Sequence, residues 1–236
     1  MNLRVLQRLV LASTVMLSAA LTPAFAAPTT YTFSTTTAAI PFCCNASALS
    51  QLGSVNVHGS FQYDPAGAYF GDSGALGFSP GYSTYGAPVG GVQSFSNLNG
   101  AVGSYSFSDP LGSVAVANNN PFASGSDSLW LQAETGPKSN ANTYPSNYPR
   151  QLSGFTVGQY TLINVRLFWV TGLNGVTDFL SNSQLPTALP GFGGRLALDF
   201  ALTTDLHNTT NVPYYSNSVF FDGLTVHAAP VPEPET

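Results

Sequence analysis

The sequence predicts an all-β protein of antiparallel strands, arranged as a single-domain β-sandwich or jelly roll. Three observations carry that prediction. Short stretches alternate apolar and polar residues with period two, as strands with one buried and one wet face do. Turn formers separate these stretches, with 23 Gly and 17 Pro in the chain. Helical periodicity is missing, apart from Thr177–Ser183, which has room for a turn or two.

Tyr31 and Phe33 predict the first strand. The clearest one is Ser54–Tyr63. Val55, Val57, Phe61 and Tyr63 share one parity, Asn56, His58, Ser60 and Gln62 the other, and Asp64-Pro65 ends the run. Val92–Phe95, Val102–Phe107, Ser113–Ala117 and Ser128–Glu134 follow. Tyr160–Val170 is the most apolar strand, with Ile163, Val165, Leu167 and Trp169 on one face and Asn164 and Arg166 interrupting the other. Arg195–Thr203 sets Leu196, Leu198, Phe200 and Leu202 opposite Asp199. Val219–Phe221 and Leu224–Val226 make the last strand or pair, bent near Gly223. Pro65–Gly91 and Thr135–Ser153 read as loops by composition. Trp130 and Trp169 lie in apolar strands and are expected in the core.

Residues 1–26 have the layout of a secretory signal peptide: Arg4 and Arg8, an apolar Leu9–Leu21 stretch, Pro23, and a small-x-small site at Ala24-Phe25-Ala26. Cleavage is expected before Ala27. The β-domain then spans 27–227, and 228–236 is a Pro-rich linker whose three prolines cannot join a central strand. Once the leader is gone, Lys138, Arg150, Arg166 and Arg195 stand against eleven carboxylates. So acidic a chain is a poor partner for nucleic acid or anionic lipid. Charged residues make up only 7% of the sequence, against roughly a quarter in ordinary domains, so solubility must rest on uncharged hydrogen-bonding groups.

The chain ends on Val231-Pro232-Glu233-Pro234-Glu235-Thr236. Val231, Pro232, Glu233 and Pro234 resemble the opening of the PEP-CTERM sorting tail of bacterial exported proteins. Gly59-Ser60-Phe61-Gln62-Tyr63-Asp64, Leu185-Pro186-Thr187-Ala188-Leu189-Pro190 and Asp222-Gly223-Leu224-Thr225 are similar to further segments of such proteins. The resemblance implies an exported β-domain handled by signal peptidase and an exosortase, found outside a Gram-negative-type bacterium or on its outer surface, in company with extracellular polysaccharide. It supplies no catalytic residues. In that family an apolar helix and an Arg-rich end follow the motif. The chain stops before either, so it is expected to be cut at the motif or released without the tail, and to meet a membrane only through such a tail.

Candidate chemistry is sparse. Cys43 and Cys44 are adjacent, and export favours oxidation. A vicinal disulfide is one expectation; free or intermolecular thiols are the other. Gly71-Asp72-Ser73-Gly74 is similar to the nucleophile segment of chymotrypsin-type proteases and to Gly-Asp-Ser esterases, but lacks the partners a serine nucleophile needs. A turn is the better reading. His58, His207 and His227 are widely spaced, with no close pair of metal ligands. A glycosidase needs two facing acids, whereas Asp64, Asp72, Asp109 and Asp222 sit beside turn residues. A calcium site of carbonyls and single Asp residues stays open as the one cofactor. Tyr144 and Tyr148, in a loop with Lys138 and Arg150, are candidates for stacking on sugars, and Tyr69, Tyr82 and Tyr85 form a second such group. The function that follows is a non-enzymatic exported protein of the cell surface or polysaccharide matrix. A carbohydrate-binding module is the alternative, and a hydrolase with an unrecognised carboxylate pair ranks third.

Overall fold

A computed structural model describes residues 27–35, 37–42, 47–72, 82–86, 92–120, 124–135, 151–204 and 217–230. Among them are twelve strands: β1 Thr29–Ser34, β2 Thr37–Phe42, β3 Val57–Tyr63, β4 Tyr69–Asp72, β5 Ser83–Tyr85, β6 Phe95–Val102, β7 Tyr105–Asn120, β8 Ser126–Glu134, β9 Thr156–Val157, β10 Tyr160–Val170, β11 Gly194–Leu202 and β12 Asn217–Ala228. Every pairing between them is antiparallel. The all-β prediction holds, but the sheet does not divide into two stacked layers. The order β7-β6-β3-β1-β12-β11-β10-β8 returns to β7 through the β7–β8 pairing, closing an eight-stranded barrel. β4 and β5 extend the sheet from β7, β2 pairs with β12, and β9 pairs with β10.

Two long strands close it. β7 gives residues 105–112 to β6 and residues 113–120 to β8, so it turns from one half of the barrel into the other. Pro110 at that turn has no N–H for a ladder. β12 bends at Gly223, whose φ of 65° favours glycine, and is lined along one edge by β1 and then β2. The alternation read from the sequence fills the lumen. Phe61, Phe95, Trp169, Phe200 and Phe221 are all fully buried, and Phe61 meets Phe95 edge-on at 5.4 Å between ring centres. Gly59 and Gly100 pair across β3 and β6. A Cβ on Gly100 would lie 2.3 Å from the Phe107 ring, so glycine here lets an aromatic ring cover the backbone.

The core is covered beyond the strand ends. The 3-10 segment Ser47–Ser54 buries Leu49 and Leu52 against it. The irregular run 176–193 buries Leu180 and Leu189. The polar tips of three core aromatics hold that run: Tyr63 Oη donates to Pro186 O at 2.6 Å, Tyr85 Oη to Ser183 O at 2.8 Å and Trp169 Nε1 to Phe192 O at 3.0 Å.

Several expected elements shift. Thr177–Ser183 is not helical; the short 3-10 turn is Leu173–Gly175. Val102–Phe107 is not one strand, because Gly103 and Ser104 form a two-residue hairpin turn between Val102 and Tyr105, with Gly103 at φ 58°. Val92–Phe95 moves on to Phe95–Val102, and the expected loop 65–91 contains β4 and β5.

Candidate functional site

The two halves of the barrel present different outer faces. Where a strand's inward parity is apolar, its other parity must face out. On the end of β12 past Gly223, on β1, β3 and β6 and on the first half of β7 that parity is almost wholly Ser, Thr, Asn, Gln and His. The register aligns these side chains in rows across the strands. One row runs His227, Thr32, Ser60, Asn99, Ser108 and, through an isolated bridge, Ser153. A second runs Thr225, Ser34, His58, Ala101 and Ser106. Thr32, Ser34, His58, Asn99, Ser106, Ser153, Thr225 and His227 are exposed, and no Lys, Arg, Asp or Glu stands in either row.

Neighbours within this face fix one another. Ser34 and Thr225 share a hydroxyl–hydroxyl hydrogen bond of 3.2 Å, Asn97 Nδ2 donates to Gln62 Oε1 at 2.7 Å, and Asn99 Nδ2 donates to Asn97 O at 3.0 Å. At its β6–β7 margin the face sinks into a hollow of about 260 Å³ lined by Asn99, Gly100, Ser106, Phe107, Ser108 and Ser153. Chemically it is a field of groups that can both donate and accept hydrogen bonds without formal charge.

The outward face of β8, β10, β11 and β12 carries the charges. Asp199 is fully buried there and receives four hydrogen bonds. Arg166 Nε and Nη2 donate to its two oxygens at 2.7 Å each, Asn164 Nδ2 at 3.1 Å and Ser218 Oγ at 2.6 Å. The Arg166 guanidinium lies 5.2 Å from the Trp130 ring centre, in cation–π range, and Trp130 stacks on Phe168. Arg195 pairs with Asp222 on the same face. Every acceptor site of Asp199 is filled, so this cluster fixes register rather than offering a reactive group.

Two further acids have structural roles. Asp109, expected in a turn, lies inside β7 at its bend, 1% exposed. Its Oδ1 accepts the Leu111 N–H at 3.0 Å, and its Oδ2 has no partner. Burial pushes this carboxyl up to about 7, with the charge of nearby Glu134 adding to the rise and the backbone amides of Leu111 and Glu134 opposing it. Asp127 accepts the backbone N–H groups of Asn119, Phe179 and Leu180 at 2.8–2.9 Å, tying run 176–193 to the start of β8. These amides, against an opposing desolvation, hold its carboxyl below the ordinary value. The exposed Asp178 carboxyl is raised by its hydrogen bond to Asp127.

The sequence-predicted residues fall as follows. His58 and His227 are exposed on strands as expected, and Trp169 is core. Trp130 instead faces outward, beside Arg166. Asp64 forms the expected turn, accepting the Ala66 N–H at 2.8 Å. Asp222 is instead ion-paired within β12. Tyr82 and Tyr85 are buried and cannot join Tyr69, which is 55% exposed, as a platform. Cys43, Cys44, Ser73, Gly74, Lys138, Tyr144, Tyr148, Arg150, His207, the expected leader 1–26 and the expected motif residues Val231, Pro232, Glu233 and Pro234 lie outside the described residues. Among the described residues no three His, Cys, Asp or Glu side chains gather as metal ligands, and no helix is long and apolar enough to cross a membrane.

Sequence reading did not find the uncharged face. Its signal was the polar parity of Ser54–Tyr63, which needed the partners of β3 to become a surface. Searches against family models, curated proteins and solved structures found nothing that matches this chain.

Proposed function

We propose that this protein is an exported, non-catalytic component of the bacterial cell surface or extracellular polysaccharide matrix, delivered by its leader and sorted by an exosortase system. The observation that carries this reading is the polarity of the barrel. Its lumen is packed with Trp169, Phe61, Phe95, Phe200 and Phe221, while the outer rows on its β1–β3–β6 side are Ser, Thr, Asn and His with a single Ala. A barrel that spans an outer membrane has the reverse order, apolar outside and polar within. A packed lumen leaves the strands as a scaffold with its working surface outside, in water. An outer face of uncharged polar groups suits a hydrated polymer matrix, and the leader and the Pro-Glu-Pro motif supply the address.

The test is expression of the full chain in a Gram-negative host with fractionation and N-terminal sequencing. Mature protein beginning at Ala27, in the periplasm or beyond, is expected. Recovery from the cytosol with residues 1–26 attached would overturn the reading.

A further inference from the structure

We propose that the outward face of β12, β1, β3, β6 and β7 binds an uncharged polysaccharide. The polymer lies across the strands along the His227–Thr32–Ser60–Asn99–Ser108 row and seats one sugar unit in the hollow beside Ser153. The inference deepens the matrix reading above and rests on it.

The chemistry of the face selects the ligand class. A sugar ring offers hydroxyls that both donate and accept, and so do the Ser and Thr hydroxyls and the Asn and Gln amides of this face. Neither row holds a Lys or Arg to recruit phosphate, sulfate or uronate, and the chain's net charge of −5 repels polyanions at longer range. Nor does either row hold a large apolar side chain of the kind that anchors protein partners.

The geometry favours a polymer over a small molecule. Neighbouring strands stand ~4.8 Å apart, so the row presents one polar group per step over roughly 20 Å. Such a ladder of equal steps fits repeating units. The hollow, about 260 Å³, lies just below the usual range for drug-sized ligands and suits a single ring. Hydrogen bonds between Ser34 and Thr225 and from Asn97 to Gln62 hold the side chains in place before a ligand arrives, which lowers the ordering cost of binding.

Affinity electrophoresis of the mature protein tests this, with dextran or soluble hydroxyethyl cellulose in the gel and alginate as the anionic comparison. Retardation by at least one neutral polymer and none by alginate is expected. Asn99→Ala, and separately Ser153→Ala outside the regular strands, should each weaken retardation about five-fold, the worth of one lost hydrogen bond, with thermal melting unchanged. Retardation untouched by both variants but lost in Tyr144→Ala or Tyr148→Ala would overturn the assignment of this face while leaving a sugar-binding matrix protein standing. Retardation by neither neutral polymer, or by alginate equally, would overturn the inference itself. Fractionation judges the exported location separately.

Discussion

The barrel wall has two outer faces built on one core. On the β1–β3–β6 side the outward side chains are wet, neutral and hydrogen-bonded to one another. On the β8–β10–β11 side most of them are buried, and a guanidinium, an amide and a hydroxyl interlock around the Asp199 carboxylate. The lumen is apolar beneath both. The contrast separates two uses of polarity. Where water is present, neutral groups suffice and each bond matters little. Where water is excluded, a charge survives only with its full set of partners, and those partners then dictate which residues of β10, β11 and β12 lie side by side.

Breaking the covered face should do the most damage. Asp199→Ala strands the Arg166 guanidinium without its carboxylate, and a loss of roughly 3–5 kcal/mol is expected by denaturant unfolding. A double Asp199→Leu, Arg166→Met variant should recover most of that loss, since apolar residues of similar volume can replace a buried pair. If the single variant melts like the parent, the cluster has no structural role.

The seam between the faces is tested by pH. The folded Asp109 carboxyl is raised to about 7 from 3.8. Below pH ~4 both folded and unfolded chains are protonated there and nothing is lost. Between these values only the unfolded chain ionises freely, so stability falls as pH rises, by on the order of 4 kcal/mol at pH 7 and above. Asp109→Asn should remove that slope and unfold at higher denaturant concentration than the parent at pH 8. An unchanged slope refutes the assignment.

Asp127 has the opposite sign. Its carboxyl is held below the ordinary value, so its contribution is present at neutral pH and fades as pH drops through the folded value. Asp127→Ala is expected to cost about 2 kcal/mol at pH 7 and less in acid, with faster hydrogen exchange at Phe179 and Leu180. The smallest effect belongs to the wet face. Thr32→Ala or Ser60→Ala should change stability by less than about 0.5 kcal/mol, which would show that those side chains are not there to hold the fold.

The strands with strong alternation were legible from the sequence. Tyr160–Val170 keeps its ends, and Arg195–Thr203 shifts by one residue at each. Thr37–Phe42, Tyr69–Asp72 and Ser83–Tyr85 were not, because they are short, carry Pro41 or Gly71, and take their conformation from the strand beside them. Closure could not be read either. It depends on β7 changing partner at Pro110–Gly112, a tertiary event with no periodic signature. Asn164, Arg166 and Asp199 were visible as polar breaks in apolar runs. That they meet follows from the β10–β11 register, which sets Asn164 opposite Asp199. The neutral face needed the same kind of information, since each row draws one residue from each of five strands.

The pairing of β1 with β12 joins Thr32 to His227, 195 residues along the chain. Until the twelfth strand has been synthesised, β1 and β11 each keep a bare row of amides and carbonyls. Wall assembly therefore has to wait for almost the entire polypeptide, a route of high contact order and slow completion. Any ligand or chaperone that shields those two edges during the delay governs whether molecules finish alone or zip onto one another.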